Sequence, residues 1–265
     1  MPDSVSVIIP TLNEVENLKE LLPLIFNQSL KPLEVIVADA GSTDGTADVA
    51  KDMGAFVVPG GRPSIGRNNG AWAATGEWLA FFDADCRPPH DLLLERALED
   101  IQAQEVLAAI SDVKPYYRPN DKGYNSSFIQ AYDRWLLTQQ TKAQRFWGRK
   151  MDFPVGTTQF MLTRRDVFLE LGGFNIQTEP FEDSEYLLRI HRNATPQRDG
   201  QMAVGVLDPA LFIFVSMRRF DKQGRLFYPY YLSFRSVILR WALGRELPMR
   251  SYWDVNERGL FSDHR

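Results

Sequence analysis

The chain has 265 residues, 44% of them hydrophobic and 24% charged, which is typical of a globular protein with a sizeable core. A net charge of −4 argues against bulk binding to nucleic acid, and a single cysteine, Cys86, excludes an internal disulfide and fits a reducing compartment. Residues 213–265 contain ten Lys and Arg against five Asp and Glu, so this tail carries +5 and residues 1–212 carry −9. The asymmetry favours either an anionic contact surface or a solvated basic face.

Strand and helix patterns alternate through the first half of the chain. Short apolar runs predict strands over residues 5–9, 33–38, 55–58, 78–82 and 106–110. Helical spacing and capping residues predict helices around residues 18–25, from about residue 44, and over residues 64–74 and 91–104. Strands separated by helices of this length indicate an α/β fold with a mainly parallel sheet covered on both faces.

The second half of the chain is less regular. Helices are expected over residues 124–140, 165–171 and 182–191, with Gly172-Gly173 ending the second of them, and a strand is expected over residues 159–163. The segment ALFIFVS, residues 210–216, also resembles a strand. Because no repeat, low-complexity tract or linker divides the chain, we expect a single domain.

Four acids are expected at the carboxyl ends of strands, where open α/β sheets bind their ligands: Glu14, Asp39, Asp83 and Asp85. Their negative charges would repel one another unless a bound cation or hydrogen-bond donors compensated them. Asp83 and Asp85 follow the apolar run WLAFF, and carboxylates two residues apart on an extended chain point the same way. Magnesium or manganese binds through one or two such carboxylates plus substrate phosphates. The alternative is a turn that Asp85 caps.

Five strings occur in order between about Val5 and Arg192: VSVIIPTLNE, EVIVADAGSTDGT, RNNGAWAATGEWLAFFDADC, LGGFN and FEDSEYLLR. Together they resemble the family 2 glycosyltransferases, which have the GT-A fold. The resemblance implies a mainly parallel, twisted, Rossmann-like sheet with helices on both faces. It also implies transfer of a sugar from a nucleotide-diphosphate donor, a UDP-sugar in preference to a GDP-sugar, with Mn²⁺ or Mg²⁺ as cofactor.

The resemblance assigns roles to individual residues. Those implied to bind the donor nucleotide are Pro10, Glu14, Asp39, Arg67, Asp83, Arg218 and Arg219. Those implied to bind the metal are Asp85 and Asp83, with His191 as a late ligand, and Asp183 is implied to be the general base. Many relatives carry a further polar ligand where this chain has Arg87, which cannot bind a cation.

Several of these residues also have a structural interpretation. Asp39 is a natural first residue of a turn, and Glu182-Asp183 are favoured in the acidic first turn of a helix. Arg218 and Arg219 belong to the basic C-terminal surface, and a lone helical histidine such as His191 is commonly a core residue. Both readings stay open for each residue at this point.

The resemblance divides the chain into a catalytic domain over residues 1–212 and a C-terminal segment over residues 213–265 that belongs to the same domain. The catalytic domain has a nucleotide-binding part to about residue 112 and an acceptor part from about residue 113.

Attack by an acceptor that Asp183 activates predicts inversion of the anomeric carbon. The alternatives are a retaining transferase, a sugar nucleotidyltransferase and a non-catalytic nucleotide-sugar-binding protein. A nicotinamide-dependent dehydrogenase would need a glycine-rich turn after the first strand, where the sequence has PTLNE.

The C-terminal segment mixes basic, aromatic and apolar residues. Arg235, Arg240 and Arg245 point in three directions on a helix, so residues 232–247 either pack on the body or lie at a membrane surface. We expect no signal peptide, and the sequence contains no apolar run of about 18 residues. We therefore expect a cytoplasmic protein, peripheral on the inner face of an anionic membrane, with a saccharide or lipid-linked acceptor.

Overall fold

The computed structural model describes residues 3–150, 159–178, 182–194 and 203–225. Strands and helices follow one another as β1 (Val5–Thr11), α1 (Val15–Phe26), β2 (Glu34–Asp39), α2 (Thr46–Asp52), β3 (Phe56–Pro59), α3 (Pro63–Ala73), β4 (Trp78–Phe82), β5 (Cys86–Arg87), α4 (Leu93–Ala103), β6 (Ala108–Ile110), β7 (Val113–Tyr116), α5 (Ser127–Lys150), β8 (Phe160–Arg164), α6 (Arg165–Glu170), α7 (Glu182–Ala194), β9 (Val204–Val206), β10 (Ile213–Ser216) and α8 (Arg218–Gln223). Within the described residues every predicted element is present, and only α5 departs by more than three residues, since it runs ten residues beyond its predicted end.

The central sheet has seven strands in the order β3-β2-β1-β4-β8-β6-β9. The strands from β3 to β4 pair in parallel, as do β6 and β9, whereas β8 is antiparallel to both of its neighbours, β4 and β6. The predicted α/β fold with a mainly parallel sheet is therefore confirmed. Because β1, β2 and β4 are parallel neighbours, the loops that follow them open at the same edge of the sheet.

Apolar residues cover both faces of this sheet. β4, whose sequence is WLAFF, is buried at every position, as expected of a central strand with helices on both sides. Val7 and Ile9 of β1 join a core with Leu18 and Leu22 of α1, whereas Ile8 between them joins a second core on the opposite face. The alternation of strand side chains thus divides one apolar run between two layers.

A second, three-stranded sheet in the order β5-β10-β7 lies beyond β4. Its central strand β10 comes from the strand-like residues 210–216, and it pairs antiparallel with β5 and parallel with β7. The sequence did not predict β5, β7 or β9. β5 has two residues and β9 three, too few to show a periodic pattern, and β7 contains Pro115, which argues against a strand.

The second sheet matters for the site because β5 begins directly after Asp85, and β10 is separated from α8 by the single residue Met217. Within the described ranges, no helix combines the length and apolarity that crossing a bilayer requires. Residues 232–247, with Arg235, Arg240 and Arg245, were expected either to pack on the body or to lie at a membrane surface, and they lie outside the described residues.

Candidate active site

The loops after β1 and β2 are joined by hydrogen bonds at the carboxyl edge of the sheet. The parallel register places Thr11 beside Asp39, and the Thr11 hydroxyl donates to Oδ1 of Asp39 across 3.1 Å. The backbone N–H groups of Gly41 and Ser42 donate to Oδ2 of the same carboxylate at 3.1 and 2.9 Å. Asp39 is therefore held as a turn residue, and these bonds also fix its carboxylate at the rim of the sheet.

Helix α3 approaches β1 closely because two of its positions are glycines. A Cβ atom at Gly70 would lie 2.5 Å from Cγ2 of Ile8, and one at Gly66 would lie 3.2 Å from Cβ of Pro10. Pro10 is thus packed against α3 beneath the first loop. Arg67, directly after Gly66, is buried with 5% of its surface exposed.

Arg67 connects two acids from distant parts of the chain. Its Nη2 lies 2.8 Å from Oδ1 of Asp83, and its Nη1 lies 2.6 Å from Oε1 of Glu182. Burial alone would lower the pKa of the guanidinium, but the charges of Asp83, Glu182 and Asp183 raise it well above its ordinary value. Arg67 is therefore a permanent cation that holds the end of β4 against the beginning of α7.

Asp83 and Asp85 do not lie on extended chain, and the prediction that they would is wrong. β4 ends at Phe82, and residues 84–85 form a turn before β5. The turn is fixed at Asp83, whose N–H donates to the Gln159 carbonyl and whose own carbonyl accepts from the Cys86 N–H, both at 3.1 Å. The alternative of a turn, also considered from the sequence, describes the backbone better.

Asp85 is a buried carboxylate, with 9% of its surface exposed, in a site of mixed charge. Burial raises its pKa, Arg219 and Arg218 act to lower it, and the neighbouring carboxylates of Asp83 and Glu14 raise it further. The net effect is a pKa above the ordinary value. Four of the residues implied to bind donor or metal are thus electrostatic neighbours of Asp85.

Glu14 joins the first loop to helix α8. Its carboxylate lies 2.8 Å from Nη2 of Arg218, and its backbone N–H donates to the Thr46 hydroxyl at 2.9 Å. The side-chain amide of Asn17 donates to the same carboxylate. Burial alone would lower the pKa of Arg218, but the pair with Glu14 raises it. Arg218 therefore lies beside the site, whereas Arg219, the next residue, is exposed and charge-coupled to Asp85.

Arg87 belongs to a network of side chains that sequence reasoning missed. Its guanidinium lies 2.8 Å from Oε2 of Glu20 and 3.2 Å from the side-chain oxygen of Asn17. Arg118 completes the network, at 2.9 Å from Glu20 and 2.7 Å from Asn17. The only signal in the sequence was an arginine where a metal ligand was expected, and the structure shows that it instead fixes β5 to α1.

Helix α7 begins with the pair Glu182-Asp183. Glu182 is buried against Arg67, and Oδ1 of Asp183 accepts a hydrogen bond from the N–H of Ser184 at 2.6 Å. Both residues lie in the acidic first turn of α7, as their structural interpretation predicted. His191 is buried on the same helix, but eight residues beyond Asp183 correspond to about 12 Å of helix rise. The structure therefore brings Asp183 towards Asp83 through Arg67, and it does not bring His191 to the first turn.

The residues at this edge fit a hard divalent cation that completes its coordination with donor phosphates. Among the described residues, no three His, Cys, Asp or Glu side chains form a group that could hold a metal by themselves. Asp83 and Asp85 supply carboxylate oxygens, the ligands that Mg²⁺ and Mn²⁺ prefer, and Mg²⁺ commonly takes only one or two from the protein. The carboxylates of Asp83 and Asp85 are thus chemically suitable as ligands for Mg²⁺ or Mn²⁺.

A mainly parallel α/β sheet whose carboxyl edge carries fixed carboxylates and arginines is the architecture of an α/β protein that binds its ligand at that edge. The chain belongs to glycosyl transferase family 2, whose sequence model matches residues 6–172. The predicted family and enzyme class, a glycosyltransferase, are thereby confirmed.

Two curated relatives show how far the similarity extends. The chain is 30% identical over 180 residues to the glycosyltransferase AglE of Haloferax volcanii, covering 64% of this chain and 55% of that protein. It is 26% identical over 292 residues to the cholesterol galactosyltransferase of Borreliella burgdorferi, covering 94% of this chain and 80% of that protein. The chain therefore spans about half the length of the first relative and most of the second.

Solved structures share the fold at low sequence identity. The mannosyltransferase PcManGT of Pyrobaculum calidifontis, in complex with GDP-Man and Mn²⁺, superposes with a TM-score of 0.56 at 22% identity, covering 88% of this chain and 64% of that one. S. aureus TarS 1-349 in complex with UDP-GlcNAc gives 0.52 at 18% identity, covering 80% of this chain and 58% of that one. The predicted divalent cofactor and nucleotide-sugar donor are consistent with these neighbours.

Proposed function

We propose that this chain transfers a sugar from a nucleotide-diphosphate donor to an acceptor hydroxyl. The observation that carries the proposal is Arg67, which joins Asp83 at the donor edge of the sheet to Glu182, the neighbour of Asp183. One buried cation therefore fixes the distance between the proposed donor site and the proposed base. Such pre-positioning of reacting groups is a large contribution to catalysis.

The donor would lie over the loops that follow β1, β2 and β4. Asp39 would accept from the base, Pro10 and Glu14 would line the nucleoside pocket, and Asp85 with Asp83 would hold Mn²⁺ or Mg²⁺. The bound cation supplies charge stabilisation for the leaving diphosphate. Arg218 and Arg219 of α8 would face the same phosphates, because guanidinium groups pair well with phosphate oxygens.

Asp183 would act as the general base. An acceptor hydroxyl is a weak nucleophile, and a carboxylate within hydrogen-bond distance removes its proton as the new bond forms. Attack opposite the leaving diphosphate inverts the anomeric carbon. Asp183 carries a hydrogen bond from Ser184, which orients its carboxylate, and Arg67 holds its neighbour Glu182.

The donor and acceptor are proposed at the level of chemical class. The neighbours in complex include one with GDP-Man and one with UDP-GlcNAc, and we favour a UDP-sugar for this chain. The cholesterol galactosyltransferase of Borreliella burgdorferi, which aligns with 94% of this chain, is named for a lipid acceptor. This name supports a saccharide or lipid-linked acceptor here. We also propose peripheral contact with an anionic membrane, supported by the +5 charge of residues 213–265.

The test is release of nucleoside diphosphate from a panel of UDP- and GDP-sugars, with and without Mn²⁺, in the presence of detergent-dispersed lipid and soluble saccharide acceptors. Turnover that requires both the metal and one acceptor class supports the proposal, and analysis of the product anomer decides between inversion and retention. Tight binding of a nucleotide-sugar without any product from either acceptor class would favour the non-catalytic binding protein instead.

A further inference from the structure

One face of helix α5 presents large aromatic side chains to solvent. Phe128 is 80% exposed and Trp135 is 57% exposed. They are seven residues apart, close to two helical turns, and therefore lie on one line along the helix. Lys142, seven residues further on, continues that line as an exposed cation. Tyr132 is half-buried at the side of this line: its ring lies 6.0 Å from the ring of Trp135, and its hydroxyl donates to the Arg225 carbonyl. We call Phe128, Tyr132, Trp135 and Lys142 the α5 face.

The opposite side of the helix is firmly attached to the body. Leu137 is 3% exposed and Asp133 is fully buried. Nε of Arg225 lies 3.0 Å from the Asp133 carboxylate, and the Tyr117 hydroxyl donates to the same carboxylate at 2.9 Å. At 100° per residue, Asp133 and Leu137 lie across the helix from Phe128 and Trp135. The exposure of the α5 face is thus a consequence of how the helix is anchored.

The charge of α5 has one sign on its outer side. The only acid of the helix, Asp133, is the buried partner of Arg225, and the basic Arg145 is paired with Asp112 of the body. Arg134 and Lys142 are exposed. A ligand that approaches the α5 face therefore meets aromatic rings and the cation Lys142, with Arg134 on the flank of the helix, and no carboxylate of the helix itself.

We propose that the α5 face docks onto the surface of an anionic lipid bilayer. Tryptophan and tyrosine favour the boundary between water and lipid, phenylalanine favours the acyl region just below it, and lysine pairs with anionic headgroups. A line of such residues along a convex helix matches a flat surface better than a pocket. The inference deepens the membrane contact included in the proposed function, and it assigns that contact to described residues rather than to residues 226–265.

The test uses the whole 265-residue chain and vesicles of equimolar phosphatidylcholine and phosphatidylserine. Wild-type protein should sediment with these vesicles, and the double variant Phe128→Ala/Trp135→Ala should bind about tenfold more weakly. The matched control is Phe56→Ala/Trp72→Ala, which removes the same two residue types, 64% and 54% exposed, from β3 and α3. This control should bind like the wild type.

A charge variant separates docking from misfolding. Lys142→Glu should weaken binding at low salt, and the loss should shrink as salt screens the charge, whereas Lys51→Glu on exposed α2 should have no effect. The proposal is overturned if the wild type stays in the supernatant, or if both α5 variants bind as the wild type does. A second copy of the chain is the competing partner for the α5 face. The proposal is also overturned if the wild type does not bind vesicles and light scattering shows a wild-type dimer that the variant Phe128→Ala/Trp135→Ala dissociates.

Release of nucleoside diphosphate without vesicles distinguishes the two proposals. The α5 variants should keep the wild-type rate with a soluble acceptor, because the α5 face holds none of the proposed donor, metal or base residues. If wild-type protein binds vesicles through the α5 face but transfers no sugar, the proposed function fails and the docking surface stands. If the wild type transfers sugar but does not bind vesicles, the proposed glycosyl transfer stands and the docking surface fails.

Discussion

Arg67 of α3 donates through Nη1 to Oε1 of Glu182, the first residue of α7, across 2.6 Å and 115 positions of sequence. Both side chains are buried, and the same guanidinium binds Asp83. A buried ion pair of this kind contributes little net stability by comparison with a well-packed apolar pair, but removing one member leaves the others uncompensated. The pair therefore fixes geometry, and its loss should be costly.

Arg67→Ala should lower the free energy of unfolding by about 3–5 kcal/mol, because the buried Glu182 and the half-buried Asp83 are left without their shared cation. Urea unfolding monitored by circular dichroism measures the change. Arg96→Ala, which removes an exposed arginine of α4, is the control and should change stability by less than about 0.5 kcal/mol. A loss for Arg67→Ala as small as that of the control would show that Arg67 does not pair with Asp83 and Glu182 in solution.

Glu34 at the start of β2 provides a pH-dependent test of the sheet. Its Oε1 accepts from the Ser6 hydroxyl at 2.7 Å and from the N–H and hydroxyl of Thr75 at 2.6 and 2.9 Å. Burial alone would raise the pKa of Glu34, but these hydrogen bonds outweigh it and hold the pKa below its ordinary value of 4.5. The stability that the carboxylate contributes is therefore present above pH 4.5 and is lost as the pH falls through its lower value in the folded state.

Glu34→Gln should accordingly cost about 1 kcal/mol of unfolding free energy at neutral pH, and the difference from wild type should shrink in acid. Urea unfolding at a series of pH values measures it. Glu16→Gln, at an exposed position of α1, should show a small difference at every pH. A difference for Glu34→Gln that grows in acid would mean that the carboxylate is not stabilised in the fold.

The sequence allowed the prediction of those parts of the fold that local patterns determine. Apolar runs predicted strands over residues 5–9 and 78–82, with acids after them at the carboxyl ends of the strands. The structure has these strands as the parallel neighbours β1 and β4, and the acids follow them. The pair between Arg67 and Glu182 was not foreseen, because a contact between residues 115 positions apart leaves no local periodicity. Arg87 was read only as an unsuitable ligand, since nothing in the sequence shows that Glu20 lies beside it.

Metal dependence can be measured on the nucleotide alone. Addition of UDP and Mn²⁺ near 100 times the dissociation constant should stabilise the wild type by about 2.7 kcal/mol. Asp85→Ala should lose the part of this effect that requires Mn²⁺, because it removes the proposed buried metal ligand. Asp91→Ala, at an exposed position before α4, should retain it. Full turnover in excess chelator would contradict the assignment of Asp85 and Asp83 to the metal.

The role of Asp183 is tested by a variant that keeps the shape of its side chain. Asp183→Asn cannot accept a proton, so turnover should fall by roughly 10²–10⁴, the usual contribution of a general base, while donor binding is largely kept. Single-turnover product formation and donor affinity by calorimetry measure the two quantities separately. Glu185→Gln is the matched control, because it removes one negative charge from the same helix turn at a residue paired with Arg189, and its turnover should stay near that of wild type. If Asp183→Asn instead abolishes donor binding while the rate per bound donor is normal, Asp183 is a binding residue, and the base must be sought elsewhere at this edge of the sheet.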